Sequence, residues 1–418
     1  MDRLAAEGAL FENAYVGSPV CSPSRMTYFT GLNSTQTKVT DYLAGAQAKQ
    51  VGISAEMASW PAILQKSGYV TGLVGKWHIG NGEKSLPKNN GFDYFMGNLG
   101  GGWKPKNPKF VDIDGKAEKF EGFSVDVCTD LALKFLKENQ KKPFALMVHY
   151  REPHAAYVPM PAQDMAAMKN LDPQIPAYPG LPEKTVKGLM RDYLTSVRAV
   201  DRNIGRILKQ VEALGLEEDT IIIFTSDHGY NMGHHGLRYK GNGYWLVKGK
   251  KGCRPNMFES SMAVPLLIKW PEVVKPGMEV DALVSNVDMF SSVLSMLGVK
   301  VPVGVKQEGR DFTPFLRGEP VEQWRDALFG QYQMINNAKD SMRMIRTADW
   351  KLIRHYKVEG KDELYYLKND SEESNNLFNN PERQEIQKKL QQRLDAWMER
   401  IGDDPESESP QKVARKKK

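Results

Sequence analysis

The chain has 418 residues, 41% hydrophobic and 26% charged, which is enough apolar material for one large core and a smaller appended unit. No apolar run approaches the ~20 residues that span a bilayer, and three cysteines, Cys21, Cys128 and Cys253, are too few for a disulfide framework. The formal net charge of +6 gathers at residues 411–418, and with no nucleic-acid reading module beside it, this basic end argues for no nucleic-acid partner.

Residues 1–8 read as the end of a helix and not as a signal peptide. Residues 26–30 form a short helix-like run after Cys21-Ser22-Pro23-Ser24-Arg25, where Pro23 suits a first helical turn. A helix over 55–66, closed by Gly68, leads into an apolar strand over 69–75. A second helix covers 123–139 and places Cys128 among Val127, Leu131, Ala132 and Phe135 as a core residue, followed by a strand at 144–150. The longest helix, 182–214, carries Val186, Leu189, Tyr193, Val197, Val200 and Ile204 at three- and four-residue steps and stops at Gly215. Strands at 220–225 and 264–270 follow.

Strands alternating with helices imply an α/β fold, a mostly parallel central sheet covered by helices on both faces. The texture changes near 314–324. Strand-like runs at 342–356 and 363–367, a turn around 358–361 and a helix over 381–401 predict a small antiparallel sheet with one helix. The expected organisation is a catalytic unit at 1–318, an antiparallel subdomain at 319–404 and a disordered basic tail at 405–418.

Open α/β sheets bind ligands beyond the carboxyl ends of their strands. Three predicted strands run into polar, histidine-bearing segments: Gly75-Lys76-Trp77-His78, His149-Tyr150-Arg151-Glu152-Pro153-His154 and Ser226-Asp227-His228-Gly229. Cys21 stands at a helix N-terminus, where anions are favoured. Its position alone fits a buried thiol at a turn and a nucleophile equally well.

Cys21-Ser22-Pro23-Ser24-Arg25 resembles the C-x-P-x-R motif of the sulfatase family, in which the cysteine is converted to formylglycine. The block Gly68-Tyr69-Val70-Thr71-Gly72-Leu73-Val74-Gly75-Lys76-Trp77-His78-Ile79-Gly80 is similar to that family's second signature, and Thr225-Ser226-Asp227-His228-Gly229 to its second metal-binding pair. The resemblance covers nearly the whole chain and implies the alkaline-phosphatase-like fold. It also implies hydrolysis of a sulfate monoester, with a sulfated small molecule or glycan as substrate and a formylglycine-generating enzyme as maturation partner.

By resemblance, formylglycine at Cys21 is the nucleophile, beside a calcium ion (magnesium being the alternative) held by Asp227 and His228. Arg25 bonds the nucleophile or the metal shell, Lys76 and Lys240 meet sulfate oxygens, His78 takes the nucleophile's proton and His154 faces the leaving oxygen. A near-neutral imidazole suits both proton transfers. His234 and His235 are expected to line the substrate side of the pocket, with zinc at that cluster a lesser alternative.

Family members begin with a strand ending in two adjacent aspartates that hold the same metal. No such pair occurs near the start here, and Asp403-Asp404 falls in the tail, so an N-terminally truncated chain is expected, with two strand edges exposed. The full-length form is expected to be exported. Two rival readings are a phosphate- or phosphonate-ester hydrolase of the same superfamily and a catalytically impaired sulfated-ligand binder. Residues 81–122, 155–182 and 230–256 carry Trp103, Tyr244, Trp245, Lys250 and other lysines, a mixture that suits a sulfated sugar chain as well as ordinary loops. Met262 departs from the basic residue that many relatives place there.

Overall fold

A computed structural model describes residues 1–411. Most predicted elements form with small shifts in their ends. Strands run over Val70–Lys76, Phe144–His149, Ile222–Thr225 and Leu266–Lys269, and helices over Trp60–Lys66, Ser124–Asn139 and Glu183–Ala213. Ser59 caps the first of these helices by accepting the backbone N–H of Ala62, and Pro61 occupies its first turn.

The central sheet is divided. Five strands form one half, in the order Ala117–Lys119, Lys109–Asp112, Tyr94–Asn98, Val70–Lys76, Phe144–His149, and the last three are mutually parallel. Four form the other, in the order Met278–Val280, Ala9–Phe11, Leu266–Lys269, Ile222–Thr225. Here Leu266–Lys269 runs antiparallel to both neighbours.

Phe144–His149 and Ile222–Thr225 are therefore edges, and both line one cavity of about 1350 Å³. The long helix lines it with Ile204, Ile207 and Leu208, and Phe29 and Trp60 line it as well. Every residue of Ile222–Thr225 is half-buried, whereas Val70–Lys76 is buried along nearly all its length. The cavity runs to the carboxyl ends of both edges, where Arg25, Lys76, His154 and Asp227 line it. The two edges are half-buried for most of their length and share that cavity.

The second sheet is antiparallel, in the order Ala327–Met334, Asp340–Thr347, Trp350–His355, Glu363–Tyr366. Alternation along each strand divides its side chains between two faces. Ile345, Leu352 and Leu364 meet Leu390, Leu394 and Trp397 of the helix Gln384–Ile401. Met342, Met344 and Ile353 meet Val20, Phe258 and Met262 of the larger unit, in the same cluster as Cys21. Met262 thus serves as packing against the second sheet, a role a basic residue would not fill. Glu259 ties the units together, accepting Tyr15 Oη at 2.7 Å and Lys351 Nζ at 2.9 Å.

Two expectations for the C-terminal end are corrected. Ser409 and Gln411 are buried against the larger unit: the Ser409 hydroxyl is 2.7 Å from that of Thr40, and the Gln411 side-chain oxygen accepts the N–H groups of Thr40 and Asp41 at 2.9 Å. Asp403 is not a tail residue but a buried partner of Arg343, whose Nη2 donates at 2.7 Å. Burying an arginine demands this pairing. The rest of the predicted basic tail, residues 412–418, lies outside the described residues. Among the described residues, no helix is long and apolar enough to cross a membrane.

Candidate active site

Four chain segments converge at the carboxyl ends of the parallel strands. The first is the helix Cys21–Thr30, which begins at Cys21 itself. Its entry is fixed by Asn286, whose Nδ2 donates to the Ser24 carbonyl and hydroxyl at 3.0 and 2.9 Å, and whose Oδ1 accepts Gly17 N–H. Arg25 lies one turn on. Its Nε donates to Asp227 Oδ2 at 2.8 Å, and its Nη1 to the Lys76 carbonyl at 2.9 Å.

The strand Val70–Lys76 supplies the second segment. Lys76 is buried, with Nζ 3.2 Å from Asp227 Oδ2. His78, two residues on, has a φ of 58°, a left-handed conformation rare outside glycine. Its Nε2 lies 3.0 Å from the Leu43 carbonyl, and its Nδ1 is buried without a regular hydrogen bond.

Asp227 and His228 follow Ile222–Thr225. His228 Nε2 is 3.3 Å from Asp227 Oδ1, and also 3.3 Å from Lys240 Nζ. Lys240, just beyond the strand Leu237–Tyr239, is buried with Nζ 3.0 Å from Cys21 Sγ. The next residue is pressed on the loop before Cys21: a Cβ on Gly241 would lie 2.4 Å from Pro19 Cγ. Only glycine lets Lys240 approach Cys21 this closely.

The fourth segment carries His154. Arg151 and Glu152 are buried beside it; Arg151 Nη1 donates to the His154 carbonyl at 2.8 Å, and Nη2 to that of Ala156 at 2.9 Å. His154 feels Lys240, Lys76 and Cys21 electrostatically.

The charges are tightly coupled. Burial alone pushes the Cys21 thiol up, but Lys240, Lys76 and His78 more than reverse this and hold it well below its ordinary value. Asp227 behaves likewise: burial raises it, and Lys76, His228 and Arg25 carry it well below the carboxylate range. Burial, with Lys240 and Lys76 adding to it, lowers His154 to about 3. The pocket therefore holds excess positive charge, aimed at an anion.

A metal fits these residues in part. Donor atoms of Cys21, Asp227 and His228 all lie within 4.8 Å of one another, the one group of potential ligands of its kind among the described residues. A hard divalent cation prefers six or more oxygen ligands, so one carboxylate and one imidazole make up a portion of a shell.

Hydrogen bonds, ion pairs and electrostatic interactions thus join Cys21, Arg25, Lys76, His78, His154, Asp227, His228 and Lys240 in one cluster, of which Arg25, Lys76, His154, Asp227 and His228 line the cavity. His234 and His235 do not join it. His235 stacks on Phe258 with ring centroids 3.5 Å apart and points toward Glu373 at 4.0 Å, while His234 Nδ1 accepts the Met232 N–H. Their place is packing near the second sheet, because apolar Phe258 offers an imidazole a flat face. Trp103 packs edge-on against Phe110, and Lys250 sits over Trp245, 4.2 Å from its ring centroid.

Sequence reasoning missed His149, Gly101 and Arg151. His149 Nδ1 is 3.0 Å from both Arg25 Nη1 and the Lys76 carbonyl, and its place at a strand end was a usable signal. A Cβ on Gly101 would lie 2.4 Å from His78 Cε1, a contact between separate segments that spacing does not reveal.

Comparison with known proteins agrees with this geometry. The sulfatase family model matches residues 1–299, and the model of the N-sulphoglucosamine sulphohydrolase C-terminal region matches residues 253–400. An N-acetylglucosamine-6-O-sulfatase of Bacteroides thetaiotaomicron is 29% identical, over 97% of this chain and 83% of its own length. An ulvan-active sulfatase of Formosa agariphila is also 29% identical, over 97% and 76%. A solved structure, described as a complex with its substrate D-glucosamine-2-N,6-O-disulfate, superposes with a TM-score of 0.83 at 27% identity, covering 98% of this chain and 94% of the other. The chain belongs to the sulfatase family and is a sulfuric ester hydrolase.

Proposed function

We propose that this sulfatase removes a 6-O-sulfate from a glucosamine-type sugar, through formylglycine formed from Cys21 and with calcium held by Asp227 and His228. The observation that carries the reading is Lys240 Nζ at 3.0 Å from Cys21 Sγ, with the donor atoms of Asp227 and His228 within 4.8 Å of it. The sugar class comes from the relatives that act on or bind sulfated glucosamine.

Hydrated formylglycine supplies one hydroxyl to attack sulfur and a second whose deprotonation expels sulfate and restores the aldehyde. A divalent cation supplies positive charge that lowers the pKa of that nucleophile. The chain's own residues do the rest. His78 Nδ1 is bare and takes the attacking proton. Lys76 and Lys240 neutralise sulfate oxygens, where each preorganised donor is worth on the order of 3 kcal/mol. Arg25 orients Asp227, and His154 faces the leaving oxygen. In the free protein His154 is neutral; the negative charge of a bound sulfate offsets the two lysines and favours its protonation.

Asp227 and His228 leave a cation short of oxygen ligands. The cleft between the two half-sheets opens onto them, and a strand lying in it with carboxylates at its end would add those ligands. Conversion of Cys21 calls for a formylglycine-generating enzyme, and the mature form is exported.

The test is sulfate release from N-acetylglucosamine 6-sulfate by protein coexpressed with such an enzyme, with an aryl phosphonate monoester in parallel. The reading expects sulfate release that vanishes in Cys21→Ala. Phosphonate cleavage without sulfate release would replace it with the phosphonate hydrolase reading, and binding of the sulfated sugar without turnover with the impaired binder.

A further inference from the structure

Three segments leave the active site and meet again a few residues later. Tyr157 follows His154 by three residues, Tyr230 follows His228 by two, and Tyr239 adjoins Lys240. A chain advances at most ~3.6 Å per residue, so each backbone lies within roughly 11 Å of its pocket residue. There the rings build a wall. Tyr193 and Tyr230 stack with centroids 5.4 Å apart, Tyr157 meets both edge-on, and its hydroxyl is 2.8 Å from that of Tyr230.

Arg238 lies on this wall. Its guanidinium is 4.6 Å from the Tyr239 ring centroid and 5.4 Å from that of Tyr157. The residue is half-buried, and among the described residues its side chain's one hydrogen bond is a long one, Nε to Tyr157 Oη at 3.4 Å. It forms no ion pair among those residues. Arg25, Arg151 and Arg254 each face a carboxylate instead. A guanidinium partly stripped of water, flat on two rings, keeps both Nη groups free as a fork, the geometry that receives an oxyanion through two parallel hydrogen bonds.

We infer that Arg238, on its tyrosine wall, forms a second oxyanion subsite that takes an anionic substituent of the substrate other than the ester being cleaved. The inference rests on the sulfated-sugar reading above and sharpens it: the preferred substrate carries at least two anionic groups. The rings set the distance between the two anions, because Arg238 cannot swing away without losing both. The shared chemistry is a sulfate or a carboxylate, and the two sources are separable by experiment.

The test is calorimetric binding of three sugars to the chain with Cys21 unconverted: glucosamine 6-sulfate, glucosamine 2-N,6-O-disulfate, and a 6-sulfated glucosamine joined to a uronic acid. At least one dianionic sugar is expected to bind about tenfold or more tighter than the monosulfate, the strength of a charge-assisted bidentate contact. The better one identifies the second anion. In Arg238→Gln that ratio falls to near one, and in Arg238→Lys it falls part way, because charge remains without the fork. Equal affinity of the wild type for all three sugars would overturn the inference, as would a ratio unchanged in Arg238→Gln. Loss of affinity for every sugar alike in that variant would assign Arg238 to packing and overturn it too. Binding of none of the three by the wild type would defeat the sulfated-sugar reading itself, a separate outcome.

Discussion

His78 and Leu43 fix the proton at the centre of this site. A carbonyl can only accept, so the 3.0 Å contact between His78 Nε2 and the Leu43 oxygen requires the proton on Nε2 and leaves Nδ1 bare. Leu43 is itself held beside the nucleophile, because its N–H donates to Ser22 Oγ at 3.0 Å. Burial, opposed by Cys21, lowers His78 below the ordinary imidazole value, which keeps Nδ1 a base near neutral pH. His78→Ala is expected to lower kcat by about 10²–10³-fold, the usual worth of a positioned base. His78→Gln is expected to fare no better, because an amide cannot take up the proton. Steady-state sulfate release by the matured protein checks both.

Gly101 holds that imidazole from the other side. A Cβ there would stand 2.4 Å from His78 Cε1, far inside van der Waals contact, and His78 is already in a strained backbone conformation. Gly101→Val is expected to turn the ring and to reduce kcat by at least about tenfold, the cost of a misplaced catalytic group, with less than about 1 kcal/mol lost in urea unfolding. Equal loss of stability and activity would indicate general damage.

Asp227 balances Arg25 and Lys76 in a largely buried site. Asp227→Asn leaves both cations unpaired, at a cost on the order of 3–5 kcal/mol in unfolding free energy. The same carboxylate is the one oxygen donor in the cluster, so residues 1–418 by themselves should bind calcium no tighter than about 10⁻³ M. Joining an apolar strand that ends in two aspartates ahead of Met1 is expected to tighten calcium and raise turnover together. Calorimetric titration measures the first effect, and tight binding to the unmodified chain would contradict it.

His355 predicts how stability responds to alkali. It is buried, with Nδ1 2.7 Å from Asp340 Oδ2 and Nε2 3.3 Å from Glu363 Oε1. Burial acts to lower it, but the two carboxylates prevail and raise it to about 9. A raised histidine binds its proton more tightly in the folded state, so its contribution is full below about pH 6.5 and is lost as pH rises through about 9. That contribution is on the order of 3 kcal/mol. His355→Gln is expected to lose about this much in urea unfolding at pH 6 and little at pH 9.5. A pH-independent loss would show that packing and not charge is responsible.

Elements with a strong local signature were legible in the sequence. The helix Glu183–Ala213 repeats apolar residues at helical steps, and Val70–Lys76 and Phe144–His149 are short apolar runs that end in the pocket. The eight proposed site residues interact with one another in one cluster. What escaped depends on distant partners. Ala9–Phe11 is a strand only because Leu266–Lys269 and Met278–Val280 flank it. Gln411 looked like tail until Thr40 and Asp41 offered it two N–H groups. His234 and His235 were expected on the substrate side of the pocket because their glycine-rich loop follows Asp227 and His228, yet Phe258 and Met232 claim them.

The central claim is that Cys21 becomes an aldehyde in the working enzyme, and the mass of the peptide from Leu4 to Arg25 tests it most directly. Replacing the thiol carbon by an aldehyde removes about 18 Da. In protein that has been coexpressed with a formylglycine-generating enzyme and releases sulfate, the account predicts this lighter peptide, in proportion to activity. Sulfate release by protein whose Cys21 peptide keeps its full thiol mass would contradict it.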